Sequence, residues 1–218
     1  MNNQPKVAVL GGGSWATAIV KMLCENLETV GWYMRSIHAT EHIKLNKHNP
    51  NYLSSAELHP NQLILSNNIN KTVENFDILV FAIPSAFLTS ELKKLTISLS
   101  NKVIFSAIKG IVPESGLIVG EHFFKKHNIA YKNIGVITGP CHAEEVAMER
   151  LSYLTIACQD QDQAKKVGEC LKSRYIQVKI SDDIIGTEYA AMLKNIFSIA
   201  AGISHGLGYG DNFQSVLM

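Results

Sequence analysis

Gly11-Gly12-Gly13-Ser14-Trp15-Ala16 follows directly on the apolar run Lys6–Leu10, and apolar residues then recur at Trp15, Ile19, Met22 and Leu23. A GxGxxA loop between a buried strand and a helix is the setting in which a chain holds the pyrophosphate of a dinucleotide. Gly11 permits the tight turn, Gly13 lets the phosphates approach the backbone, and Ala16 allows the helix to pack closely. Free N–H groups and the helix dipole then hold the anion. A site specific for NAD places Asp or Glu at the end of the second strand, against the ribose hydroxyl. The corresponding stretch here reads Met34-Arg35-Ser36. Arginine suits a 2′-phosphate through charge-assisted hydrogen bonds, so NADPH is favoured and NADH stays open. The plainer reading of Arg35 is a solvated surface residue.

Lys109, in Ser106-Ala107-Ile108-Lys109-Gly110, stands at the carboxyl end of an expected parallel strand, where open α/β sheets bind ligands. A lysine that merely ends a strand in solvent fits equally well. Gly139-Pro140-Cys141-His142 follows another strand in the same way. A Cys–His nucleophilic pair is rejected there, because sequence neighbours rarely face each other and no upstream acid orients the histidine. On a helical net, Glu188–Ile203 is apolar almost all round, and Thr187, Lys194, Asn195 and Ser198 form a narrow polar stripe. Such a helix is expected to be buried, with Lys194 facing a cleft where a lysine can move protons. The alternative is a lysine that snorkels out at a domain edge. His38 and His42 share a helix face but lack the HExxH order and a third ligand, so no metal is expected.

The elements that must position these residues are strand-sized apolar runs separated by helix-length segments. Strands are expected near 6–10, 30–34, 63–65, 77–83, 102–108, 135–138, 152–157 and 175–180. That alternation implies an α/β, Rossmann-like, doubly wound and mostly parallel sheet. Asp182 and Asp183 favour a helix N-terminus. The chain therefore divides into a dinucleotide-binding domain over 1–181 and the start of an all-helical domain over 182–218. The absence of a polar ending or cap before Met218 reads as an incomplete helical domain. Hydrophobic residues make up 46% and the net charge is +1, which argues against disorder and against a nucleic-acid partner. No apolar stretch is long enough for a membrane span and no secretory signal is visible. Four scattered cysteines suit a reduced, cytoplasmic setting.

Taken together, these residues resemble the bacterial-type NAD(P)-dependent glycerol-3-phosphate dehydrogenases. The likeness rests on residues 11–16, Asn51-Tyr52-Leu53, Ile83-Pro84-Ser85, Ala107–Gly110, Gly139-Pro140 with Ala143–Val146, and Leu193-Lys194-Asn195 with Gly206–Asn212. It implies interconversion of sn-glycerol 3-phosphate and dihydroxyacetone phosphate with NADP or NAD, supplying glycerol 3-phosphate to phospholipids. By the same resemblance Lys194 matches the proton-transfer lysine and Lys109 the lysine touching both cofactor and substrate. Gly139 and Cys141 match substrate-side positions, with Cys141 in place of the usual Ser or Thr. Ser14, Trp15, Arg35, Tyr52 and Ala143 match cofactor contacts. The family's helical domain continues past the point matching Met218 with an acidic residue and an arginine-containing phosphate-binding segment. A related keto-acid reductase and a catalytically incomplete nucleotide-binding fragment are the rival readings. Uncovered apolar surface on the 187–203 helix predicts self-association, and a native homo-oligomer stays open.

Overall fold

A computed structural model describes residues 4–217; residues 1–3 and 218, the outer ends of the two expected domains, lie outside it. The first half of the chain alternates strictly. It runs β1 (Val7–Leu10), α1 (Ser14–Cys24), β2 (Val30–Tyr33), α2 (Ile37–Asn46), β3 (Leu63–Ser66), α3 (Ile69–Asn75), β4 (Ile78–Phe81), α4 (Ser85–Leu92) and β5 (Val103–Ser106). A hairpin of β6 (Ile111–Val112) and β7 (Leu117–Ile118) leads into α5 (Val119–His127). Then come β8 (Ile134–Thr138), α6 (Ala143–Ala147), β9 (Ser152–Cys158), α7 (Gln161–Leu171) and β10 (Ile176–Ser181). The chain closes with α8 (Ile184–Gly206) and α9 (Asp211–Leu217).

Eight strands form one sheet in the order β10-β9-β8-β5-β4-β1-β2-β3. Strands β3, β2, β1, β4, β5 and β8 all pair in parallel, the doubly wound arrangement that alternating strands and helices predict. β9 then reverses, pairing antiparallel to β8 with Val136 opposite Ala157, and β10 runs parallel to β9. β1, β2 and β4 are buried at every position, as strands covered on both faces must be. One apolar cluster packs Ile19, Leu23, Trp32 and Val80 on one face, and a second packs Leu10, Phe81, Phe123 and Ile134 on the other.

The expected strands all form, and α2 forms between its caps Ser36 and Lys47, with the Ser36 side chain accepting from Ala39 N. Two features differ from expectation. The β6–β7 hairpin is an addition, too short to announce itself by periodicity. α8 forms and extends to Gly206, yet it is not buried: Ile196, Phe197, Ile199 and Ile203 are each about half exposed or more. The all-round apolar pattern reported a helix with a covering partner, and among the described residues that cover is partial. No helix among the described residues is long and apolar enough to cross a membrane.

Candidate functional site

The site grows from the end of β1. Gly11 adopts φ +135°, and a Cβ there would stand 2.2 Å from the Ala82 carbonyl oxygen, so only glycine fits the crossing of the β1 and β4 exits. Gly11 N donates to Tyr33 O and its carbonyl accepts from the buried Trp32 indole at 2.7 Å, which ties the turn to β2. Gly13 is the N-cap of α1 and offers no side chain to the first turn, which also holds no acidic residue. A Cβ at Gly13 would meet nothing within 4 Å, so the loop faces open space. Uncapped N–H groups beside an open glycine wall form a cradle that suits a pyrophosphate. Ala16 is fully buried on the core side of α1, consistent with close helix packing.

Asn49 fastens this loop from outside. It is fully buried, its Nδ2 donates to Gly12 O at 3.1 Å and to Thr17 Oγ1 at 2.9 Å, and its Oδ1 accepts from Asn51 N. The sequence shows Asn49 only as part of an Asn-Pro-Asn helix breaker. Its position against the glycine loop is set by tertiary packing and leaves no local signal.

Two clefts open over the carboxyl ends of β1 and β4. The larger, about 540 Å³, holds Gly11, Gly13, Arg35 and Tyr52. The second, about 410 Å³, holds Ser14, Trp15, Lys109, Cys141 and Ala143. Gly13, Ala82, Ile83 and Pro84 line both, so they form one groove. Arg35 is exposed, its guanidinium carbon 5.6 Å from the centre of the Phe87 ring and its Nε 3.7 Å from Glu91. Gly139, at φ +145°, turns the chain out of β8, and its carbonyl accepts from Cys141 N. Burial pushes the Cys141 thiol up, while His142 beside it is exposed. That arrangement gives no activated nucleophile.

Lys194 stands apart. It lies on α8, is exposed, and lines neither cleft. The expectation that its helix is buried around it is therefore corrected. What anchors α8 is Glu188, whose buried carboxylate accepts from Gly120 N at 2.9 and 3.2 Å at the start of α5. Burial pushes this carboxyl up to about 7, and Glu121 adds to the rise, while the N–H groups of Gly120 and Val119 oppose it. Glu188 escapes a sequence reading because an acidic residue on a helix normally reads as solvated. His38 and His42 lie with ring centres 6.3 Å apart, and among the described residues no group of three His, Cys, Asp or Glu could hold a metal ion.

The chain is similar to known proteins over nearly its whole length. The family model for the N-terminus of NAD-dependent glycerol-3-phosphate dehydrogenase matches residues 6–164, and that for its C-terminus matches 183–218. The chain is 38% identical over 214 residues to the glycerol-3-phosphate dehydrogenase [NAD(P)+] of an Exiguobacterium species, covering 97% of this chain and 62% of that one. It is 37% identical to the protein of the same name from Lysinibacillus sphaericus, over 98% and 63% of the two chains. Among solved structures, Plasmodium falciparum glycerol-3-phosphate dehydrogenase superposes with a TM-score of 0.87 at 26% identity, over 98% of this chain and 62% of that one. The Coxiella burnetii glycerol-3-phosphate dehydrogenase superposes with a TM-score of 0.83 at 25% identity, over 98% and 65%. Imine reductases share the fold at 14–15% identity. The chain thus spans about three-fifths of the length of its curated relatives. A glycine cradle at the end of β1, a sheet wound on both sides of it and two matching family models lead to one conclusion: this chain belongs to the NAD-dependent glycerol-3-phosphate dehydrogenase family.

Proposed function

We propose that the chain supplies the dinucleotide cleft, and part of the substrate site, of an enzyme interconverting sn-glycerol 3-phosphate and dihydroxyacetone phosphate. The observation that carries this reading is the continuous groove from the glycine cradle to Lys109. Residues 1–181 form the cofactor-binding unit and 182–218 the start of a helical substrate unit. NADP or NAD fits the cradle, with Arg35 favouring NADPH. Hydride for the ketone carbonyl is the chemistry that a bound dinucleotide supplies. The N–H groups opening α1, with Gly11, Gly13 and Ser14, hold phosphate. Trp15, Tyr52 and Ala143 line the groove and would flank a dinucleotide held there, and the buried Ala16 keeps the helix against the sheet. Lys109 adds positive potential where the carbonyl oxygen gains charge and orients the substrate beside Gly139 and Cys141. Lys194 donates the proton to that oxygen, and in the reverse direction its amine accepts it. The role in the cell is supply of glycerol 3-phosphate for phospholipids in the cytoplasm, a setting that four free cysteines suit.

The exposure of Lys194 favours a second reading, a dinucleotide-binding module without turnover. Reduction of dihydroxyacetone phosphate by the 218-residue chain, with NADPH and NADH in parallel, separates the two. The same assay is run on a fusion that adds the remaining C-terminal portion of the Exiguobacterium relative. Turnover in either form, lost at least a hundredfold in Lys109→Ala and Lys194→Ala, supports the dehydrogenase reading. Tight dinucleotide binding with no turnover in both forms refutes it.

A further inference from the structure

One charged group at the edge of the larger cleft takes no part in the chemistry above. Glu91, near the end of α4, is 2% exposed, and a buried carboxylate persists only when it is paired. Its Oε2 accepts from Tyr33 Oη at 2.8 Å and its Oε1 accepts from Lys94 Nζ at 2.8 Å. The same Oε1 lies 3.7 Å from Arg35 Nε. Tyr33, Arg35 and Lys94 also bound a smaller hollow of about 250 Å³, walled by Asn67 and Asn70. Arg35 Nε makes a loose ion pair with the carboxylate, beyond hydrogen-bond distance, and the guanidinium lies over the face of Phe87. For its two terminal nitrogens the described residues supply no acceptor.

We infer that Glu91 sets the balance between phosphorylated and unphosphorylated dinucleotides, acting through Arg35 and Lys94 without touching the cofactor. The inference rests on reading the groove as a dinucleotide site. Arg35 and Lys94 bring two positive charges to the hollow and Glu91 cancels one, so an arriving 2′-phosphate meets a patch of net +1. A ribose hydroxyl carries no charge and is almost indifferent to that subtraction. The carboxylate therefore holds down affinity for the 2′-phosphate and lets both cofactors compete. Without that charge the Phe87 face, 5.6 Å from the guanidinium carbon, is expected to go on supporting Arg35.

The test is calorimetric titration of the 218-residue chain with adenosine 2′,5′-bisphosphate and with adenosine 5′-monophosphate, repeated with NADPH and NADH. Glu91→Gln keeps an acceptor for Tyr33 and removes the charge. It is expected to tighten the two 2′-phosphorylated ligands about tenfold, the effect of one unit charge at short range, and to move the other two by less than about twofold. Lys94→Gln, a change at a half-exposed side chain, is expected to weaken the phosphorylated ligands alone. Equal changes for all four ligands, or none, in both variants would overturn the proposal and leave Glu91 a structural residue. Failure of the unaltered chain to bind any of the four would overturn the dinucleotide reading itself, and this inference with it.

Discussion

Glu188 joins the helix carrying Lys194 to the rest of the chain, and its burial makes that joint sensitive to pH. In the fold its carboxyl is pushed up to about 7 from the ordinary 4.5, first by desolvation and then by the nearby Glu121 carboxylate. Tyr131 is the other titratable group facing it, and burial raises that phenol too. Below about pH 4.5 Glu188 is neutral both folded and unfolded, and carries no penalty. As pH rises toward 7 the unfolded chain ionises freely while the folded one resists, so stability falls; above 7 the full cost is present. The gap between the two values corresponds to about 3 kcal/mol. Glu188→Gln cannot ionise, so its stability relative to the unaltered chain is expected to improve by about that amount between pH 4.5 and 8. Urea unfolding at stepped pH measures the difference, and the other titrating groups cancel in it. Hydrogen exchange of the α8 amides reads the same quantity where the helix lifts away before global unfolding. Parallel stability profiles for the two proteins across that range would refute the argument.

Asn49→Ala removes both side-chain bonds that hold the glycine loop and leaves the Gly12 carbonyl without that donor. A loss of about 2 kcal/mol in unfolding free energy is expected, with a larger proportional loss of dinucleotide affinity, read by thermal denaturation and calorimetry. Unchanged affinity would show that the loop holds its shape unaided. The bare flank of α8 is expected to drive concentration-dependent association, seen by sedimentation and reduced in Phe197→Glu with Ile199→Glu. A monomer at every concentration in the unaltered chain would contradict this.

The strands were legible in the sequence because burial on both faces writes an unbroken apolar run, as in Val7–Leu10 and Ile78–Phe81. The glycine loop was legible because its residue types are dictated locally, by a backbone angle and a close carbonyl. The reversal at β9 was not, since a buried strand such as Leu154–Cys158 has the same composition whichever way it runs. Asn49, Glu91 and Glu188 were hidden for a common reason. Each is a polar residue whose partners come from distant segments, so its burial is decided by the assembled fold. Lys194 was legible as a lysine on the narrow polar stripe of an apolar helix, while the exposure of that helix followed from packing that its own periodicity does not report.

The reversed strands have a further consequence. Pairing aligns Tyr33, Leu10, Phe81, Ser106, Val136, Ala157 and Ser181 in a single row across the sheet. The loops lining the groove leave the parallel strands one step past this row, at Gly11, Met34, Ala82 and Ala107. Because β9 and β10 run the other way, their descending ends meet the same row, and α8 departs from it almost at once. Lys194 follows Ile184 by ten residues, no more than about 15 Å along the helix axis. Strand pairing thus fixes where the groove loops and α8 leave the sheet relative to one another, without a long linker between β10 and α8. A slip of one residue between β8 and β9 would displace that helix by about 3.3 Å while leaving every glycine of the cradle in place.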